Sequence, residues 1–268
     1  MTRIWWQSFV DAEQSAGYLE RLSAYLTEIA DDGTTVDVVG MTPPDRSFGR
    51  LTEFRCAAVA IDNALEAAEQ GYDAFAFGHF QDPGLYEARS AVDITVTGLG
   101  ETTLHWAAQL GRRIALVSID PLFDVWHREQ ADLYGLGSRI SHVVGLGAIV
   151  EDFAPAFAGD EVARERLLAR FHTLATPLVL DGADVIVPAG ALPALLLARE
   201  HGATVGHAPV VNSVAVLLKC TEAAVKLRRL TGLAPNRGPS FALAPPQAVA
   251  DFRALLALGR HGGKGEVL

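Results

Sequence analysis

Short apolar runs alternate along the chain with longer stretches in which apolar positions recur every three or four residues. The runs predict strands at 2–9 (TRIWWQSF), 34–40, 73–78, 93–98, 113–119, 140–146, 183–190 and 208–212. The stretches of helical spacing predict helices at 12–30, 50–70, from Asp82 onward, 101–111, 121–134, 160–180, 191–201 and 214–231. A Pro-rich irregular segment then leads to a last helix at 246–258. Strands and helices in strict alternation predict an α/β fold, a parallel sheet covered by helices on both faces. Ligands of such sheets bind beyond the carboxyl ends of the strands. The residues at strand ends are therefore the candidates for chemistry.

The chain carries a weak internal echo. GYDAFAFGH (71–79) and GADVIVPAG (182–190) share a Gly, an Asp two residues on, and an apolar run. Aligned this way, His79 meets Gly190. Two similar α/β units with facing strand ends would produce the echo; so would chance, since Gly-x-Asp before a strand is common.

At the end of the third run, GHFQDPGL places His79 at a strand end. Asp82 and Pro83 follow as the N-cap and first position of a helix. A histidine beside a helix start is suited to general acid or base work near neutral pH, and to local packing as well. Gln7 and Ser8 end the first strand, where they either orient a ligand or cap the strand. Trp5 and Trp6 point to opposite faces, so one of them is expected in the core. TGLGETTLH (97–105) lacks the third Gly of a dinucleotide fingerprint and reads as a tight turn with Glu101 on the helix dipole. Asn212 and Ser213 sit at a strand end and helix start, where N-capping and substrate contact are compatible.

Composition narrows the classes. Half of the 268 residues are apolar and 20% are charged, which fits a folded globular protein. A net charge of −10 argues against a general nucleic-acid binder. No run approaches membrane-spanning length, and the start MTRIWWQSFVDAE lacks the apolar stretch of a signal peptide, so a cytoplasmic protein is expected, without membrane partners. Cys56 and Cys220 lie within helical stretches and are expected to pack. No spacing predicts a metal site.

GYDAFAFGHFQDPGL, TGLGETTLHWAAQLGRRIALVS, GADVIVPAGA and APVVNSVAVLLK fall in an order that resembles the aspartate/glutamate racemase superfamily, hydantoin racemase branch, over roughly residues 2–230. The resemblance implies two flavodoxin-like parallel-sheet domains, here 1–97 plus 209–268 and 98–208, with the active site in the cleft between them. It also implies catalysis without metal, pyridoxal phosphate or nucleotide, a small-molecule substrate and a homo-oligomer. Racemases of the family use two cysteines, one from each domain. At those positions this chain has His79 and Gly190. The family's Asn-Pro-Asn at the first strand end is absent, and Asn212 replaces its usual Asp.

Two-base racemisation needs a proton carrier on each face of the substrate, and Gly190 has none. The expectation is an isomerase- or epimerase-like enzyme transferring a proton at an activated carbon of a small carboxylate or cyclic amide. His79 is its acid/base. Phe80, Gln81, Ala191 and Leu192 hold oxygens through backbone N–H groups, Gly190 lies against the substrate, and Gln7, Ser8, Ser118, Asn212 and Ser213 orient it. The alternatives are a decarboxylase protonating from one side, a cyclic-amide hydrolase, and a binding protein that kept the cleft without catalysis.

Overall fold

The computed structural model describes residues 1–44 and 48–261; the end of the expected first-domain range, 262–268, lies outside them. The order is β1 (Thr2–Gln7), α1 (Ala16–Ile29), β2 (Thr34–Val39), α2 (Arg50–Glu69), β3 (Ala74–Phe77), α3 (Leu85–Ala91) and β4 (Thr95–Gly98). Then come α4 (Leu99–Leu110), β5 (Ile114–Ser118), α5 (Phe123–Leu133), β6 (Ile140–Gly145), α6 (Ala154–Phe157), α7 (Glu161–Leu180), β7 (Val185–Ala189) and α8 (Ala191–Leu196). The chain closes with β8 (Thr204–Val205), β9 (Ala208–Pro209), α9 (Ser213–Thr231) and α10 (Pro246–His261). Among the described residues, no helix is long and apolar enough to cross a membrane.

Two parallel sheets result, with strand orders β2-β1-β3-β4 and β6-β5-β7. Both have the flavodoxin-like arrangement in which the first strand of the unit lies inside the second. The run expected as a strand at 208–212 is shorter. Ala208–Pro209 pairs antiparallel with β8, and Val210 bridges to Ile186 of β7. α9 then packs on α4, β3 and β4.

Both tryptophans of β1 are buried, where one was expected in the core. Trp6 lies with Ile4, Ala74 and Ala76 in the core that continues into the second sheet. Trp5 lies with Phe75, Phe77 and Cys56 in a separate core beneath α2 and α3. Helices cover both faces, so the two side-chain directions of one strand both end in apolar surroundings.

The internal echo is structural. Gly71 and Gly182 both adopt left-handed φ, at +74° and +92°, where each helix turns into its strand. Asp73 then accepts a 2.8 Å bond from the backbone N–H of Arg3, at the start of β1. Asp184 accepts 3.0 Å bonds from the N–H groups of Arg112 and Arg113, before β5. These bonds hold the Asp184 carboxyl below the usual range. Each aspartate ties the entry of its own strand to that of the neighbouring one. The correspondence makes β3 equivalent to β7, and His79 equivalent to Gly190.

The helix start expected at Asp82–Pro83 is displaced. α3 begins at Leu85 behind Gly84, whose φ is +84°. Asp82 has a left-handed φ of +50° and turns its carboxylate toward α4 instead. It accepts from Gly100 N–H at 3.1 Å, Glu101 N–H at 2.7 Å and the Tyr134 hydroxyl at 2.8 Å. The glycines of TGLGE have a packing reason. A Cβ on Gly98 would come within 2.6 Å of the Asp82 carboxyl, and one on Gly100 within 2.1 Å of the Phe80 carbonyl oxygen.

Candidate active site

The carboxyl ends of β1, β3, β5 and β7 face one cleft of about 60 Å³ between the two sheets. Ser8, His79, Phe80, Gln81, Ser118, Gly190, Ala191 and Leu192 all line it, as expected of strand-end residues. Phe9, Val10, Phe48, Phe123 and Val150 add an apolar wall. None of the described lining residues is Lys, Arg, Asp or Glu.

Three expected contacts are not in the lining. Gln7 is fully buried, and alternation along β1 turns it away from the cleft while Ser8 faces it. Its amide oxygen accepts from Asn63 at 2.7 Å and from the Trp5 indole at 3.1 Å; its amide nitrogen donates to the Ser8 carbonyl at 2.8 Å. Asn212 caps α9, accepting from Ala215 N–H at 3.1 Å, and donates to the Tyr25 hydroxyl at 3.0 Å. Ser213 is fully buried, and its hydroxyl has no partner among the described residues.

His79 follows β3 directly, after Gly78. A Cβ on Gly78 would meet the Trp6 indole nitrogen at 2.3 Å, so only glycine lets the strand end lie this close to β1. The His79 Nε2 lies 2.9 Å from Glu53 Oε1, in the first turn of α2. The ring stacks on Phe9 at 4.6 Å between centroids and 18° between planes. The His79 and Glu53 side chains are mostly buried, 18% and 12% exposed. Glu53 was not among the expected residues; it lies 26 positions from His79, and no local pattern joins them.

Across the cleft, Gly190 adopts φ +153° and ψ +152°. A Cβ there would press on Pro193 at 3.2 Å. Backbone conformation and the following proline are thus both adapted to glycine. Ser118 ends the neighbouring strand β5, in register with Ala189. Its Oγ lies 2.9 Å from Nε2 of His127, on α5, which is wholly buried. Burial pushes His127 down to about 4, so it is neutral at pH 7. Tyr18 also lines the cleft, and burial pushes its phenol above the usual range, so it stays protonated. Neither His127 nor Tyr18 stood out by spacing.

Cys56 is buried on the inner face of α2 and Cys220 is half-buried on α9, its thiol pushed up by burial. Neither lines the cleft. The molecule therefore has no thiol among the described residues where a two-cysteine racemase would need one.

Paired parallel sheets with a shared cleft at their strand ends define the two-domain α/β architecture of the racemase fold. The profile of the Asp/Glu/Hydantoin racemase family matches residues 10–221, and the chain belongs to that family. It is 30% identical over 106 residues to the hydantoin racemase of Pseudomonas sp. (strain NS671), covering 39% of this chain and 43% of that protein. The chain spans about half the length of the curated relatives it matches. Its fold is similar to the allantoin racemase of Klebsiella pneumoniae, with TM-score 0.74 and 23% identity, over 91% of this chain and 94% of that one. It is equally similar to the allantoin racemase of Pseudomonas fluorescens, with TM-score 0.75 and 22% identity, over 91% and 98%.

Proposed function

We propose that the chain is an isomerase-type enzyme that works without a cofactor and moves a proton at the activated carbon of a small, uncharged cyclic amide. The observation that carries this reading is His79, held against Glu53 at 2.9 Å in a cleft otherwise lined by uncharged side chains. An imidazole that takes a proton from carbon gains a positive charge, and the adjacent carboxylate balances it. Stacking on Phe9 restricts the ring to one plane, which keeps its reacting nitrogen oriented.

The lining favours a cyclic amide over a free carboxylate. A carboxylate brought out of water is best compensated by a cation. The described lining offers neutral hydroxyls and aromatic rings instead, with no Lys or Arg side chain. A ring carbonyl flanking the reacting carbon requires less charge compensation. The N–H groups of Phe80 and Gln81, and those of Ala191 and Leu192 in the first turn of α8, are suited to the oxygen on which enolate charge develops.

The test is incubation of an optically pure 5-alkylhydantoin, and separately of allantoin, in D₂O at pH 7. NMR follows loss of the α-proton, and chiral chromatography follows inversion. Exchange together with inversion is expected. His79→Ala and His79→Gln should lower both by about 10²–10⁴-fold, the usual contribution of one acid/base group, while ligand binding persists. Unchanged turnover in these variants refutes the role of His79. Ring opening, or carbon dioxide release from a carboxylated analogue, replaces the isomerase reading with a hydrolase or lyase. Tight binding without exchange makes the protein a binding module.

A further inference from the structure

Resting on that reading, we infer that Ser118, joined through its hydroxyl to His127, is the second proton carrier, serving the substrate face that Gly190 leaves without a side chain.

The position follows from the sheet. β5 and β7 are neighbours in register, with Ser118 beside Ala189. Ser118, at the end of β5, and Gly190, one residue past the end of β7, line the same cleft. His79 comes from the other sheet, at the end of β3. Ser118 and His79 line one cleft from opposite domains.

The direction of the hydrogen bonds follows from Gln130. Its amide nitrogen donates to the Phe80 carbonyl oxygen, which is only an acceptor. That pins the amide, so Oε1 is the atom facing His127 Nδ1, at 3.5 Å. Nδ1 then carries the ring proton of the neutral imidazole, and Nε2 is an acceptor. Ser118 donates its hydroxyl proton to Nε2 at 2.9 Å. The lone pairs of Oγ are left for the cleft, so Ser118 presents a proton acceptor to a ligand. Phe80 and Phe123 pack around the imidazole, with ring centroids at 5.2 and 5.7 Å. His127 acts through Ser118 and is a positioning residue.

The proton balance is closed. The α-proton of the substrate passes to Ser118 Oγ as the hydroxyl proton passes to His127 Nε2. The C–H electron pair enters the enolate. His79, in its protonated form beside Glu53, returns a proton to the opposite face of the carbon, and the enolate pair becomes the new C–H bond. Turnover leaves His79 neutral and His127 protonated, and the opposite enantiomer runs the same steps backward from that state before His127 gives its proton up.

The experiment uses the full chain with an optically pure 5-alkylhydantoin in D₂O at pH 7. Exchange of the α-proton and inversion are measured separately. Ser118→Ala should lose inversion by about 10²–10⁴-fold. His79 remains able to remove and return a proton on its own face, so one enantiomer should still exchange with retention at a rate within tenfold of the unsubstituted protein. That residual exchange also shows that the variant is folded. Ser118→Cys keeps a proton carrier and should recover inversion at least tenfold over Ser118→Ala. His127→Gln supplies a hydrogen-bond acceptor but no base, and should show exchange without inversion. Inversion at the original rate in Ser118→Ala overturns the assignment. So does equal loss of exchange and inversion, which would make Ser118 an orienting group, and so does failure of Ser118→Cys to recover. Absence of both exchange and inversion in the unsubstituted protein overturns the proposed reaction itself, and the carrier role with it.

Discussion

Replacing Asp82 removes the acceptor on which three buried donors depend. Its carboxyl takes the N–H groups of Gly100 and Glu101 and the hydroxyl of Tyr134. A buried donor left unsatisfied costs about 1–3 kcal/mol, and the three losses share one site. Asp82→Ala should therefore destabilise the fold by roughly 3–5 kcal/mol, a large part of a typical stability of about 5–15 kcal/mol. Asp82→Asn keeps one oxygen, and asparagine tolerates the φ of +50°. Its cost should be about half.

The two variants also separate by pH. Burial pushes the Asp82 carboxyl up to about 7, against the opposing pull of its bonds to Glu101, Tyr134 and Gly100. Because the folded value lies above the unfolded one of 3.8, the native state binds the extra proton between them. This contribution is fully present below pH 4 and is lost as pH rises through 7. At about 1.4 kcal/mol per unit, the whole span is on the order of 4 kcal/mol. Asp82→Asn cannot titrate. The stability gap between the unsubstituted protein and Asp82→Asn should be wider at pH 5 than at pH 8, by about 2–3 kcal/mol. Urea unfolding at both pH values measures it. A gap that does not change with pH, or that is wider at pH 8, refutes the argument that burial dominates at Asp82.

Two further substitutions probe the cleft and its supports, and a third, on α1, serves as their control. Gly190→Cys returns a thiol to the family position, but its φ of +153° and the 3.2 Å approach of Pro193 oppose any side chain. It should cost about 1–3 kcal/mol in strain and leave inversion, followed by chiral chromatography, no faster than before. Gly100→Ala would place a Cβ 2.1 Å from the Phe80 carbonyl oxygen and 2.3 Å from Gln130 Nε2, and should destabilise by about 3 kcal/mol or more. Gly17→Ala, in open space on α1, should be neutral or stabilise by about 0.5 kcal/mol; equal melting temperatures for the two alanine variants would contradict the packing argument.

The sequence by itself determined the alternation of strand and helix, because hydrophobic period and turn residues act within a few positions of one another. That alternation placed the candidate residues at strand ends, and most of the expected set does line the cleft. The repeated Gly-x-Asp and apolar run also pairs His79 with Gly190. Tertiary structure decided which partner each of these residues has. Glu53 meets His79 from 26 positions away, and Gln130 meets the Phe80 carbonyl from 50. Asp82 looked like the cap of the helix that follows it and instead serves α4, since its left-handed backbone turns the carboxyl to two N–H groups 18 and 19 positions on. Gln7 and Ser8 looked interchangeable, and the pleat of β1 sends one inward and the other to the cleft. Such contacts depend on which helix covers which face. That is set by burying the whole apolar surface at once, so no single stretch of the chain encodes it.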